Sequence, residues 1–252
     1  MQIHGIELIV SRFCSGVKEK PDAFSEDVCY NGKKGERKMK QVMETLAKGR
    51  IIAIVRGIPG EKIGPLAQTL FAGGITMMEV TFDQTRPDSW RDTCRAIELI
   101  GREFQGKILP GAGTVLTREQ LILARDAGAK YIISPDVNEE VIRETKRLNL
   151  ASFPGAMTPT EIVAAWRYGA DAVKVFPAGK MGPDYIRAVR APLKQIPLLA
   201  VGGVSEKNAG EFIRAGCLGV GVGGLLVDPE RVRRGEMDAI TELAREYRRA
   251  VG

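Results

Sequence analysis

Tyr168-Gly-Ala-Asp-Ala-Val-Lys-Val-Phe-Pro177 joins the end of a helical pattern to the start of a strand. Before it, residues 159–168 are spaced as an amphipathic helix, and Gly169 stands where a helix C-terminus turns. After it, residues 172–176 read as a buried strand, with Ala172, Lys174 and Phe176 on one face and Val173 and Val175 on the other. The same unit recurs from Met39 onward. Strand candidates are 51–55, 76–82, 107–110, 131–134, 151–153, 172–176, 198–201 and 219–222, and residues 118–126, 139–148 and 206–215 carry further helical patterns. Eight strand–helix units predict a closed parallel (β/α)8 barrel formed by one domain, residues 39–252. A doubly wound open sheet is the alternative. It has a Gly-rich turn after its first strand, which Val55-Arg-Gly-Ile-Pro59 is not.

Residues 1–38 read differently. They are charged, with Gly and Lys clusters and little helical or strand period, and are expected to form a flexible leader. Codons for Lys33-Lys-Gly-Glu-Arg-Lys38 would be purine-rich, like a ribosome-binding site, so Met39 is the expected natural start. The formal charge of +6 is dispersed: the first forty residues and the last twenty-two each contribute +2. No basic stripe with interleaved aromatics appears, so no nucleic-acid partner is expected. Cys14, Cys29, Cys94 and Cys217 show no CxxC spacing, which suits a reducing cytoplasm. No apolar run reaches membrane-spanning length, and Ile6-Glu-Leu-Ile-Val10 is too short for a signal sequence. The only histidine is His4. Histidine triads, Cys–His dyads and His-ligated metals are therefore excluded from the barrel, and proton transfer falls to Glu, Asp, Lys or Tyr.

Active sites of such barrels lie at the C-terminal ends of the strands. Here those ends carry Arg56, Glu79 with Thr81, Thr114, Ser134-Pro135, Pro154-Gly155, Lys174, Gly202-Gly203 and Gly223-Gly224. A lysine in an apolar strand is either paired or carries chemistry, because desolvation favours the neutral amine that attacks carbonyls. Glu79 reads as a proton shuttle or as a counter-ion for Lys174 or Arg56, and Arg56 as an anion ligand or a surface arginine. The two Gly pairs fit the usual barrel phosphate site.

Six segments carry a resemblance: Met78-Glu-Val-Thr81, Pro110-Gly-Ala-Gly-Thr-Val-Leu116, Ile133-Ser-Pro135, Phe153-Pro-Gly155 with Thr158-Pro159, Val173-Lys-Val-Phe-Pro177 and Val201-Gly-Gly203. In order and spacing, over about residues 40–228, they resemble the 2-keto-3-deoxy-6-phosphogluconate/4-hydroxy-2-oxoglutarate aldolase family. The resemblance implies a class I, Schiff-base aldolase that needs no metal or organic cofactor and forms a homotrimer. Its substrate would be a 2-keto-4-hydroxy acid, cleaved to pyruvate and an aldehyde such as glyceraldehyde 3-phosphate or glyoxylate. By the same resemblance Lys174 forms the imine and Glu79 moves protons. Thr114 and Arg56 hold the pyruvate carboxylate, with Thr81 beside them, and Phe176 and Pro135 form walls. Gly202, Gly203, Gly223 and Gly224 would receive the distal end of the substrate.

Three departures stand out. The family's second carboxylate arginine, two residues after the threonine of Glu-Val-Thr, is Asp83 here, with Arg86 as a substitute from the loop. Val201 and Leu225 stand where phosphate-using members often carry a threonine and a serine. These losses leave the imine chemistry intact and point toward broad aldehyde acceptance that includes unphosphorylated substrates. Two other classes remain open: a sugar-phosphate epimerase or isomerase using Lys174 and Glu79 without a covalent intermediate, and a non-catalytic scaffold.

Overall fold

The computed structural model describes the backbone of residues 26–252 and the side chains of residues 35–252. It opens with helix α1, Glu26–Gly49. The leader expected over residues 1–38 falls, for 1–25, outside the described residues. From Glu26 the chain is helical, and α1 runs through Met39 without a break. A sequence with little apolar period can still extend a helix whose later turns are anchored, as these are by buried Val42 and Leu46.

Among the described residues nine parallel strands follow: β1 (Ile51–Val55), β2 (Met77–Thr81), β3 (Leu109–Gly113), β4 (Tyr131–Ile133), β5 (Ala151–Phe153), β6 (Gly155–Ala156), β7 (Val173–Val175), β8 (Leu198–Val201) and β9 (Gly219–Val222). The ladder runs β5-β4-β3-β2-β1-β9-β8-β7-β6. Its two ends, β5 and β6, are separated in the chain only by Pro154. They are one strand position interrupted where proline has no N–H to give. The Pro154 carbonyl still accepts from Lys174 N at 2.8 Å, so the wall continues across the break. The barrel therefore has eight strand positions, as the sequence implied.

Helices cover the outside: α2 (Gly60–Ala72), α3 (Trp90–Glu103), α4 (Arg118–Asp126), α5 (Glu139–Arg147), α6 (Pro159–Arg167), α7 (Ala178–Arg190), α8 (Ala209–Arg214), α9 (Pro229–Arg234) and α10 (Met237–Val251). Their starts are legible. Thr117 and Asn138 cap α4 and α5 through side-chain oxygens, and Thr158 forms a reciprocal capping box with Glu161 at α6. Between strands and helices lies the larger apolar layer, which holds Val80, Ile132, Val173 and Val175. Inside the barrel is a second cluster, with Ile52, Met77, Tyr131, Phe153, Ala172 and Leu199. Val42 and Leu46 of α1 join this inner cluster and so plug the N-terminal end. A fully buried side chain such as Leu46 stabilises the fold by about 1.5–3 kcal/mol.

One strand differs from expectation. Residues 107–110 read as the third strand. Instead β3 runs through Pro110-Gly-Ala-Gly113, paired along its length with β2, Glu79 opposite Gly111. The glycines are there because larger neighbours fill their space. A Cβ on Gly111 would lie 2.2 Å from the Tyr131 ring, and one on Gly113 would lie 1.6 Å from Glu79 Oε1.

Candidate active site

Alternation along β7 turns Val173 and Val175 outward and carries Lys174 into the barrel, where it is 7% exposed. Alternation along β2 does the same for Glu79, which is 1% exposed between outward-facing Met78 and Val80. Neither forms an ion pair within 4 Å among the described residues, so the counter-ion reading of Glu79 finds no direct contact in its favour. Their fields still meet. Burial lowers the Lys174 pKa; Glu79 opposes that shift and Arg56 adds to it. Burial raises the Glu79 pKa, against the pull of Lys174 and Arg56. Desolvation dominates at both groups and favours the uncharged amine and the carboxylic acid. An amine held that way is more readily available, in its neutral form, to add to a ketone than an exposed lysine would be. The Lys174 ammonium position lies 4.9 Å from the centroid of the Phe176 ring, which itself rests against Gly202.

The remaining expected residues stand around the same mouth. Arg56 follows β1 and is exposed, close enough to act electrostatically on both buried groups. Thr81 is buried, its hydroxyl donating to the Val55 carbonyl at 3.4 Å, which ties the end of β2 to the residue before Arg56. Thr114 follows β3 with φ 56°, an uncommon conformation for a β-branched residue. Pro135 is half-buried after β4. Gly203 lies beside Gly179 of α7, Gly223 lies 3.8 Å from Ile54 measured from its would-be Cβ, and Gly224 is open. Val201 is buried within the barrel, whereas Leu225 is 55% exposed at the rim.

Arg86 is engaged within its own loop. Its Nε donates to Asp83 Oδ2 at 3.0 Å and its side chain is 68% exposed. Asp83 also accepts from the Thr85 hydroxyl and backbone, and these bonds with Arg86 hold its carboxyl down to about 2. The loop thus satisfies its own charges.

A family model described as KDPG and KHG aldolase, for 2-keto-3-deoxy-6-phosphogluconate and 4-hydroxy-2-oxoglutarate, matches residues 42–243. The chain belongs to this aldolase family. It is 36% identical, over 72% of its length and 86% of the relative's, to 2-dehydro-3-deoxy-6-phosphogalactonate aldolase of Escherichia coli. To the KHG/KDPG aldolase of Escherichia coli it is 31% identical over 80% of its length and 92% of the relative's. A KDPG aldolase from Legionella pneumophila, whose structure captured pyruvate at low pH as a covalent carbinolamine, superposes with a TM-score of 0.72 at 29% identity. That match covers 81% of this chain and 96% of the other. The protein is thus a class I Schiff-base aldolase, a carbon–carbon lyase that releases pyruvate and an aldehyde.

The aldolase also holds its mouth together with residues the sequence did not single out. Gln84 Nε2 donates to the Thr114 carbonyl at 2.7 Å, and Gln120 Nε2 donates to Gln84 Oε1 at 2.9 Å. Gln120 Oε1 accepts from Leu116 N at 2.8 Å. Two glutamines thereby link the loops after β2 and β3 around Thr114. Gln120 on α4 is wholly buried, a polar residue on the apolar face of a helix, and that signal could have drawn attention to it.

Proposed function

We propose that Lys174 is the imine-forming residue and that Glu79 carries the protons, within a domain spanning residues 39–252. The buried, unpaired amine of Lys174 is the observation that carries this reading. Lys174 Nζ adds to the C2 ketone of a 2-keto-4-hydroxy acid to give a carbinolamine, which loses water to form a protonated imine. Beside the positive charge of that imine Glu79 is held as the carboxylate, and directly or through a water it removes the C4 hydroxyl proton. The C3–C4 bond breaks, its electron pair moves into the imine, and an aldehyde leaves. Protonation of the enamine at C3 and hydrolysis release pyruvate and restore the amine. Arg56 and Thr114, beside Thr81, hold the carboxylate and set C2 within reach of Lys174. Phe176 and Pro135 wall the site, and Gly202, Gly203, Gly223 and Gly224 receive the far end of the substrate.

We infer broad acceptance at that far end, with unphosphorylated 2-keto-4-hydroxy acids such as 4-hydroxy-2-oxoglutarate included. Two hydroxyl positions are Val201 and Leu225, and a hydrogen bond to a charged group is worth about 1.5–3 kcal/mol, so phosphate would lose two orders of magnitude or more of discrimination. The relative at 36% identity is named for a phosphorylated acid, so the comparison must be made directly. Pyruvate release is measured with 2-keto-3-deoxy-6-phosphogluconate and its unphosphorylated analogue. The expected ratio of kcat/KM stays below about a thousand, the range left once those bonds are lost. A larger preference for the ester would overturn the inference.

A homotrimer in the cytoplasm fits this reading. Met157 and Met181 are large apolar side chains exposed beyond β6 and on α7, as a subunit contact would use. Cys94 and Cys217 are free thiols, which a reducing compartment preserves. Light scattering on the purified protein checks the trimer: three chains per particle are expected, and a monomer would contradict it.

A further inference from the structure

Two buried side-chain atoms among the described residues have no hydrogen-bond partner: Glu79 Oε2 and Tyr131 Oη. Orphaned polar atoms at this depth are rare, because each forfeits its hydration without compensation. These two share one compartment. Tyr131 begins β4 and points into the barrel, wholly buried, its ring 5.6 Å from that of Phe153 by centroids. Its Cζ, the atom that bears the hydroxyl, lies 2.4 Å from where a Cβ on Gly111 would be, and Gly111 is the direct strand partner of Glu79. Glu79 Oε1 lies 1.6 Å from the corresponding point on Gly113. No direct hydrogen bond joins the two orphaned oxygens, yet the charge of Glu79 acts on the Tyr131 hydroxyl, so the two groups are near neighbours in a compartment where one buried water can serve both.

We propose that Tyr131 is a positioning residue for Glu79, its phenol hydroxyl holding the carboxylate through one buried water. The two glycines of β3 clear the path: one side chain crosses the strand at Gly111, the other at Gly113. Apolar packing explains the ring of Tyr131 but not its hydroxyl, since phenylalanine fills the same volume without an orphan. The charged groups facing Glu79 are Lys174 from β7 and Arg56 from the end of β1. The inner cluster's members from β5 and β8, Phe153, Leu199 and Val201, bring no ionisable group. The Thr81 hydroxyl, on the same face of β2, is engaged with the Val55 carbonyl, whereas the Tyr131 hydroxyl has no partner; a hydrogen bond from it favours the ionised form of Glu79 that takes a proton.

The inference rests on the Schiff-base reading, and its test separates the two. Pyruvate alone suffices as probe. Its imine with Lys174 exchanges methyl protons with deuterium oxide when Glu79 removes a C3 proton, and proton NMR follows the loss. Wild type and Tyr131→Phe are compared across pH, with borohydride trapping on the same samples. Trapping on Lys174 is expected in both proteins to within twofold. In the variant, the acid limb of the exchange profile moves to higher pH by about one unit, and exchange below that limb falls about tenfold, as loss of a donor to a carboxylate requires. An unchanged limb with an unchanged rate would overturn the role of Tyr131. Absence of a Lys174 adduct in the wild type would instead overturn the Schiff-base reading. A crystal structure of the wild type gives a check independent of any variant. A water within hydrogen-bond distance of both Tyr131 Oη and Glu79 Oε2 is expected, and a Tyr131 hydroxyl bonded elsewhere would contradict the proposal.

Discussion

The two ends of the barrel interior are built from the same strands but follow opposite rules. At the N-terminal end, Leu46, Ile52 and Met77 are all but inaccessible and close on one another beneath the α1 plug. Toward the C-terminal end, the same alternation presents Lys174, Glu79 and Thr81, and the third strand has only glycines at its inner positions. The first region gains free energy by excluding water from carbon. The second spends part of that gain on desolvating an amine and a carboxylate that form no ion pair with each other. The barrel can hold such costly groups because the apolar half and the outer layer fix the strands beneath them.

That contrast can be tested by substitution. Glu79→Gln keeps the volume and removes the base, so turnover is expected to fall by roughly 10²–10⁴-fold, the usual worth of a positioned acid–base group. Labelling with pyruvate and borohydride should persist. A variant within a few-fold of wild type would show that Glu79 only balances charge. Gly113→Ala is expected to cost about 10²-fold in kcat, since its Cβ would sit 1.6 Å from Glu79 Oε1 and push the carboxylate aside. Thermal unfolding of that variant should fall as well, because Glu79 Cδ and Cγ, 2.4 and 2.6 Å from that Cβ, are buried and have little room to give way; full activity with unchanged stability would contradict the assignment. Leu46→Ala addresses the other end. It should destabilise the protein by about 2–5 kcal/mol in denaturant unfolding and leave activity per folded chain unchanged. Loss of activity without loss of stability would erase the distinction between the two regions.

Much of this was legible in the sequence for stated physical reasons. Alternation in residues 172–176 put Lys174 on one face with Ala172 and Phe176, and strand–helix alternation with Gly at a helix C-terminus marked the repeating unit. Polar residues interrupting apolar strands marked Lys174 and Glu79. The course of β3 was not legible. The strand reads as ending at Pro110, and only the Tyr131 ring and the Glu79 side chain, both from other strands, explain why glycines continue a strand there. The pairing of Arg86 was not foreseen for a similar reason: Asp83, three residues before it, engages it in the loop. The Gln84–Gln120 link was hidden because the partners lie 36 residues apart. The split of the fifth strand position at Pro154 was missed because proline in a strand is read as an ending.

The acidity of Lys174 gives a smaller, separate check. An ordinary lysine with a pKa near 10.4 is neutral in roughly one molecule in 2,500 at pH 7. Burial lowers the Lys174 pKa, so its neutral fraction, and with it the initial rate of trapping by pyruvate, should level off at a lower pH than for an exposed lysine. A rate that climbs steadily to pH 10 would mean the amine is not desolvated in solution.

The central claim is that the buried amine of β7 forms the covalent intermediate. Incubation with pyruvate and borohydride, followed by intact and peptide mass spectrometry, tests it directly. One reduced pyruvyl group per chain, on the peptide bearing Lys174 and absent from Lys174→Ala together with turnover, is the predicted result. An adduct on another lysine, or full activity in Lys174→Ala, would contradict it.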